Sequence, residues 1–177
     1  MTRTMFDSVN LYGIPRPMAA ANLVAFYLDG PYAVASIAEV AELFKGNRQV
    51  PIDVNGSRAD YARALDVETG DVSPDDTAQW LTEFKATNPG YAGGARGLIY
   101  SDQSNLEAIR VGTGPYILGR DYTLWVATGD GFVVTPQYLR AKYPGYAWPD
   151  GCVTACQNVW SRTYDTSVVL VDNFLPS

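Results

Sequence analysis

Short apolar runs alternate with amphipathic segments along this chain, and the alternation predicts its secondary structure. Eight runs of four to eight residues have the length and the β-branched and aromatic content of strands. These predicted strands are residues 4–9, 22–28, 49–54, 61–68, 97–100, 122–127, 153–159 and 168–171. Four other segments place apolar residues at helical spacing: residues 36–44, 73–87, 105–111 and 135–142.

The order of these elements predicts a barrel. Helix start signals, such as Ser73 before Pro74 and Thr135 before Pro136, come between the predicted strands. A strand–helix alternation implies parallel strands joined by right-handed connections. Eight such strands predict an α/β fold, a small TIM-like (β/α) barrel, formed as a single domain by residues 1–177. Because such barrels usually need about 250 residues, the late helices must be short or missing.

An acid, an amide or an aromatic residue stands at the end of most of these strands. In a barrel of parallel strands, the carboxyl ends of the strands form the functional rim. The residues at these ends are Asp7, Asp29, Asp53, Asn55, Asp66, Glu68, Tyr100, Trp125, Gln157 and Asp172. Together they predict an acidic bowl with aromatic walls, which is typical of a carbohydrate site.

The pair Asp66 and Glu68 is the most specific of these features. Side chains at positions i and i+2 of a strand point to the same face, so the two carboxyls are expected to be neighbours. Crowding raises the pKa of one carboxyl, which lets a site keep one acid protonated and the other charged near neutral pH. A solvated loop after an edge strand is the structural alternative.

The other strand-end residues also have structural interpretations. Asp29 precedes a glycine, as turn residues often do, and Asp53 could form an ion pair with Arg58 or Arg63. The remaining residues fit ordinary capping, surface or core positions: Asp7, Asp172, Tyr100 and Trp125. Only the joint pattern favours catalysis.

The composition excludes several classes of function. The chain has no histidine, which excludes Ser-His-Asp and Cys-His nucleophiles and His-ligated metal sites. A net charge of −6 without a basic run argues against nucleic-acid binding. No apolar stretch approaches the roughly 18 residues of a membrane span, and the first residues lack the apolar core of a secretory signal. Cys152 and Cys156 are expected to be buried thiols.

The strand-end motifs resemble those of the glycoside hydrolase family 25 lysozymes. The matching pieces, in chain order, are Asp7, Leu-Asp-Val-Glu at 65–68, Ile-Tyr at 99–100, Leu-Trp-Val-Ala at 124–127, Gln157 and Val-Asp-Asn at 171–173. The resemblance spans nearly the whole chain and implies a small barrel with five βα units followed by further strands. It also implies that Glu68 is the proton donor and Asp66 its partner. The other matched residues are the first- and last-strand acids Asp7 and Asp172 and the sugar-lining aromatics Tyr100 and Trp125.

Two departures from the family pattern stand out. Strand three reads Ile-Asp-Val at 52–54, where the family commonly has a Tyr-His-Phe-like sequence. Cys156 replaces the Trp that usually precedes the strand-seven Gln. The unusual strand three leaves open a second relative, the glycoside-hydrolase-like bacterial domain family of uncertain activity.

The resemblance implies hydrolysis of the glycan strands of peptidoglycan, with Glu68 protonating the leaving oxygen. Asp66, with Asp172 or Asp7, would stabilise the transition state, position water or orient the 2-acetamido group of the substrate. Substrate binding is assigned to Tyr100, Trp125, Asp29, Asp53, Asn55 and Gln157. No metal or organic cofactor is expected.

The expected partner is peptidoglycan or a related glycan, and the protein is expected to be a monomer unless it belongs to a virion. The missing signal, the one-domain size and the acidic charge suit a phage or prophage lysin, or a virion-associated hydrolase, that other machinery releases. Two alternatives stay open. One is a glycan-binding or phage structural module without turnover, and the other is a glycosidase of different specificity, such as a chitinase-like enzyme.

Overall fold

Eight strands pair edge to edge in chain order, and the last strand closes on the first. The computed structural model describes residues 3–16, 22–88 and 96–171. The strands are β1 (Arg3–Asp7), β2 (Leu23–Tyr27), β3 (Arg48–Asp53), β4 (Ala64–Asp66), β5 (Gly97–Asp102), β6 (Tyr122–Ala127), β7 (Val153–Val159) and β8 (Asp165–Val169). Neighbours from β1 to β7 are parallel, whereas β8 is antiparallel to both β7 and β1. The small TIM-like α/β barrel is therefore confirmed.

The helices are short, as the chain length requires. They are α1 (Ile37–Leu43), α2 (Thr77–Thr87), α3 (Leu106–Gly112) and α4 (Pro136–Lys142). The expected start signals act as caps, because Ser36 and Thr135 accept hydrogen bonds from the backbone N–H three residues on. Within the described residues, the β3–β4 and β7–β8 connections contain no helix, and no helix is long and apolar enough to cross a membrane.

The last strand differs from the prediction in direction and position. The expected strand at 168–171 would run parallel to its neighbours and end at Asp172. Only residues 160–164 separate β7 from β8, and a parallel crossover needs a dozen residues or more, so the chain returns as a hairpin. This reversal places Asp165 opposite Asp7 and Val169 opposite Arg3. Asp172 lies outside the described residues.

The barrel separates two apolar layers. Inward-facing residues such as Met5, Ala64 and Leu98 fill the interior, and a second layer packs between the strands and the helices. Cys152 and Cys156 belong to the outer layer, where both are buried and free, as expected. Alternate residues of a strand share a face. Asp7, Asp66 and Tyr100 each stand two residues after one of these interior residues, so their side chains also point inward.

Candidate active site

Acidic side chains collect where the parallel strands end. We call this end of the barrel the mouth, formed by Asp7, Tyr27, Asp66, Glu68, Tyr100, Trp125, Gln157 and Asp165. Asp7 and Asp165 face each other across the β1–β8 pair, and Asp66 ends β4 two residues before Glu68. Among the described residues, none of these four acids forms a salt bridge.

Asp7 is buried at the mouth and is only partly hydrogen-bonded. It is 2% exposed, and its Oδ2 accepts a hydrogen bond of 3.2 Å from Nε2 of Gln157. The Oε1 of Gln157 accepts in turn from the hydroxyl of Tyr100, whereas Oδ1 of Asp7 is buried without a partner. Burial, followed by the charges of Asp165 and Glu68, raises the pKa of Asp7 to about 8.

Asp66 is buried more deeply than Glu68, and the two acids differ accordingly. Asp66 is 4% exposed, and its Oδ1 has no hydrogen-bond partner. Burial, then the charges of Glu68, Asp71 and Asp7, raises the pKa of Asp66 to about 8. The shift favours the acid form of Asp66 near neutral pH in the free protein, and which of the two acids carries the charge during a reaction stays a prediction.

Glu68 is half-buried and has the raised pKa expected of it. The shift comes first from burial and then from the charges of Asp102 and Asp71. Sequence reasoning expected Asp66 to be the main neighbour responsible. Because Glu68 is less buried than Asp66, it is the member of the pair that a substrate entering the mouth can reach more easily.

The two expected sugar-lining aromatics form the floor of the mouth. The rings of Tyr100 and Trp125 meet edge to face with centroids 4.7 Å apart. Trp125 is 1% exposed, and its Nε1 donates to Oγ of Ser167 over 2.9 Å. A ring buried this far packs against Tyr100 and has no exposed face on which a sugar could stack. Trp125 is therefore a core residue, which was the structural alternative to sugar binding.

Asp29 and Asp53 hold loops in place. Oδ1 of Asp29 accepts from the backbone N–H of Val54 over 2.7 Å and of Asn55 over 3.3 Å. Asp53 accepts from two backbone N–H groups, including that of Arg58, and its Oδ2 accepts from Nε1 of Trp80 over 2.8 Å. The contact with Arg58 thus uses its backbone. Asn55 is exposed and lines a polar groove beyond the rim.

Two residues of the mouth were missed by sequence reasoning. Tyr27 ends β2, and its pKa is raised first by burial and then by Asp7 and other acids of the mouth. It follows Ala25, an interior residue, at the i+2 position, so strict alternation would have found it. Asp165 would have followed from the short β7–β8 connection, which requires a hairpin.

One group of three acids among the described residues has the geometry of a cation site. One carboxylate oxygen each from Asp66, Glu68 and Asp71 lies within 4.8 Å of the others. Oxygen ligands of this kind suit Ca²⁺ or Mg²⁺, but the same crowding equally favours protons on the carboxyls. The absence of a metal cofactor stays a prediction.

Comparison with known proteins shows similarity at the level of the fold. No protein-family model matches the chain, and no curated protein matches it in sequence. An uncharacterized protein of B. stearothermophilus aligns with a TM-score of 0.53 and 16% identity, over 98% of this chain and 100% of its own.

Two further solved structures carry descriptive names. A family GH25 lysozyme from Aspergillus fumigatus aligns with a TM-score of 0.53 and 14% identity, over 96% of this chain and 94% of its own. The spore cortex lytic enzyme SleM of Clostridium perfringens aligns with a TM-score of 0.51 and 11% identity, over 99% of this chain and 70% of its own. The chain therefore has a barrel fold like that of a GH25 lysozyme.

Proposed function

We propose that this protein is a peptidoglycan-cleaving glycosidase of the muramidase type that uses carboxyl groups as acid catalysts. The observation that carries the proposal is the set of mouth acids Asp7, Asp66 and Glu68, all with raised pKa values. Glycosidases need a carboxyl that stays protonated near neutral pH beside a second carboxyl. The fold shared with a GH25 lysozyme and a spore cortex lytic enzyme supports a glycan substrate.

Glu68 is the proposed general acid. Its half-buried carboxyl lies at the mouth, and its raised pKa keeps the acid form present at a higher pH than in a free glutamic acid. It would donate its proton to the glycosidic oxygen as the bond to the leaving sugar breaks. Binding of a glycan would exclude further water from Glu68 and raise its pKa again.

Asp66 is the proposed stabiliser of the transition state. Asp66 acts in its ionised form, after it has released its proton to solvent, and its negative charge then offsets the positive charge that the sugar ring gains as the bond breaks. The interaction is then stronger in the transition state than in the ground state, as catalysis requires. Asp7 and Asp165 lie at the same mouth and could orient the 2-acetamido group; the corresponding role for Asp172 stays a prediction.

The two carboxyls of the pair are close enough to act on one glycosidic bond. One carboxylate oxygen of Asp66 lies within 4.8 Å of one oxygen of Glu68. Retaining glycosidases hold their two carboxyls about 5–5.5 Å apart, whereas inverting ones leave about 6.5–9.5 Å for a water molecule. We expect retention of the sugar configuration, and NMR of the first product tests this expectation.

Replacing Glu68 tests the proposal directly. Glu68→Gln keeps the shape but removes the transferable proton, so release of reducing ends from purified cell walls should fall at least ~100-fold. Glu107→Gln, at an exposed position of α3, is the matched control and should retain wild-type activity. Retention of most activity by Glu68→Gln would contradict the assignment.

A non-catalytic glycan-binding or phage structural module is the second candidate. It is favoured by β3, whose Asp53 points outward to Trp80 while the apolar Val50 and Ile52 face the interior. Such an apolar wall is compatible with binding, whereas catalysis needs charge at the reacting bond.

Asp66→Asn separates the two functions. Asn is a neutral isostere of the protonated acid, so glycan affinity in calorimetry should be preserved, whereas turnover should fall ~100-fold because the variant cannot carry the negative charge in the transition state. If the wild type binds glycan strands but releases no new reducing ends over a day, the module replaces the enzyme. Release by a phage or prophage lysis system and a monomeric state remain predictions.

A further inference from the structure

A groove of about 180 Å³ opens beside the mouth. Its walls are the loop after β1 (residues 9–12) and the loop after β2 (residues 32–36), and one side of α1 completes it. We call it the tyrosine groove because Tyr12 and Tyr32 stand on opposite walls and are 70% and 56% exposed. Val40 of α1 is buried among its lining residues.

Both walls of the groove start at the mouth. Val9 follows Asp7 by two residues, so their Cα atoms are at most roughly 7 Å apart. On the other wall, the backbone N–H of Val34 donates to the carbonyl of Tyr27 over 2.9 Å. The rings of Tyr27 and Tyr32 have centroids 6.2 Å apart, so aromatic surface continues from the mouth into the groove.

The chemistry of the groove suits an uncharged polar ligand. Among the described residues that line it, Glu39 is the one charged side chain, which disfavours anionic ligands. Its polar groups include the Tyr12 hydroxyl, which donates to Oε1 of Glu39, and the Asn10 side chain, which accepts from the Tyr12 backbone. Exposed rings beside hydrogen-bonding groups match a sugar ring, which has apolar faces and a hydroxylated edge.

We propose that the tyrosine groove binds an uncharged N-acetylhexosamine unit further along the glycan whose bond is cleaved at the mouth. The inference rests on the proposed function and extends it to the length of the substrate. A chain that fills both the mouth and the groove gains contacts that a short fragment cannot make. The enzyme should therefore prefer long glycan strands to short ones.

The test compares peptide-free tetrasaccharide and dodecasaccharide fragments of peptidoglycan. In the wild type, kcat/KM should be higher for the dodecasaccharide. Tyr32→Ala should lower the ratio of the two values about three- to tenfold, the range expected for loss of one aromatic contact. Ala35→Trp, which fills the groove at an exposed position, should lower the ratio in the same way.

Tyr61→Ala is the matched control. Tyr61 is 57% exposed, as Tyr32 is 56% exposed, but it precedes β4 and does not line the groove. Its replacement should leave the ratio unchanged. If the ratio is unchanged in both Tyr32→Ala and Ala35→Trp, the inference about the groove is overturned. Cleavage of the fragments by these variants would still support the proposed function.

A second measurement keeps the two proposals distinguishable. If the wild type cleaves neither fragment, the proposed function fails, and calorimetry of dodecasaccharide binding decides on the groove alone. Weaker binding by Tyr32→Ala than by Tyr61→Ala would support the groove, and equal or absent binding would overturn it. A dimer in sedimentation velocity that Tyr32→Ala abolishes would show that a second copy occupies the groove, which also overturns the inference.

Discussion

The carboxyl of Asp7 receives one hydrogen bond, from Gln157, although both of its oxygens lie at the buried mouth. A charged carboxylate in that position would be poorly compensated, and protonation removes the charge. The pKa near 8 expresses this balance. Asp66 is also buried, its Oδ1 has no hydrogen-bond partner, and its pKa is also about 8, so both acids keep their protons at a pH where an exposed acid would have lost its own.

The raised pKa values of these two acids make the stability of the fold depend on pH. The pKa of Asp7 is about 8 in the folded protein and near 3.9 in an unfolded chain, so its stabilising contribution is complete below about pH 4 and is lost as the pH rises through 8. Asp7→Asn should therefore be more stable than the wild type at pH 9, by about 1 kcal/mol or more.

Thermal unfolding followed by circular dichroism at pH 5, 7 and 9 checks this expectation. Asn can still accept the hydrogen bond from Gln157, so the variant removes the charge and little else. Asp60→Asn changes an exposed aspartate and is the control. If the wild type and Asp7→Asn lose the same stability between pH 5 and 9, ionisation of Asp7 does not destabilise the fold and the prediction is wrong.

The pH dependence of the proposed glycosidase reaction should reflect Glu68. As the proposed general acid, Glu68 acts in its protonated form, so kcat/KM should fall as the pH rises through the pKa of Glu68. Asp71 is one of the charges that raise this pKa. Asp71→Asn should move the alkaline limb of the pH–rate profile to lower pH. If the limb stays in place, the group whose ionisation limits the rate is not Glu68.

At the scale of elements, Asp53 connects β3 to α2, whereas the sequence predicted substrate binding or an ion pair for this residue. Asp53 joins the loop after β3 to the indole of Trp80 on α2. Asp53→Ala would leave these donors unpaired and should lower the free energy of unfolding by roughly 2–4 kcal/mol. Denaturant unfolding measures this, with Asp60→Ala as the exposed control.

The same variant tests the earlier assignment of Asp53 to substrate binding. If Asp53 is purely structural, glycan affinity measured well below the melting temperature should be unchanged in Asp53→Ala. A loss of affinity in a folded variant would restore Asp53 to the site.

The strands and helices were largely predictable because each carries a local signal. Short apolar runs rich in β-branched and aromatic residues marked the strands, and Ser36, Ser73 and Thr135 marked the helix starts. The direction of β8 follows from the length of the β7–β8 connection, which the strand–helix alternation alone does not take into account. The sequence pattern also does not predict how deeply Trp125 and Asp66 are buried, because burial depends on which strands become neighbours.

At the scale of the whole molecule, the residues that meet at the mouth come from distant parts of the sequence. Asp7, Asp66 and Glu68 could be grouped from sequence because parallel strands carry their carboxyl ends to one rim. Asp165 enters from the start of an antiparallel strand, so grouping it with them requires the length of the β7–β8 connection as well as the strand pattern. The tyrosine groove depends on how two loops pack against α1, and no periodicity predicts such packing.

The pairing of β1 with β8 also has a consequence for how the chain folds. Arg3 lies opposite Val169, so barrel closure joins strands separated by most of the chain, and such non-local contacts slow folding. On a ribosome adding about 5–20 residues per second, β1 waits on the order of ten seconds or more for its second neighbour. During that wait β1 exposes an unpaired edge, and β7 exposes a second one from its synthesis until β8 follows; such edges can pair with other chains. We therefore expect nascent chains to be most prone to aggregation just before the β7–β8 hairpin emerges.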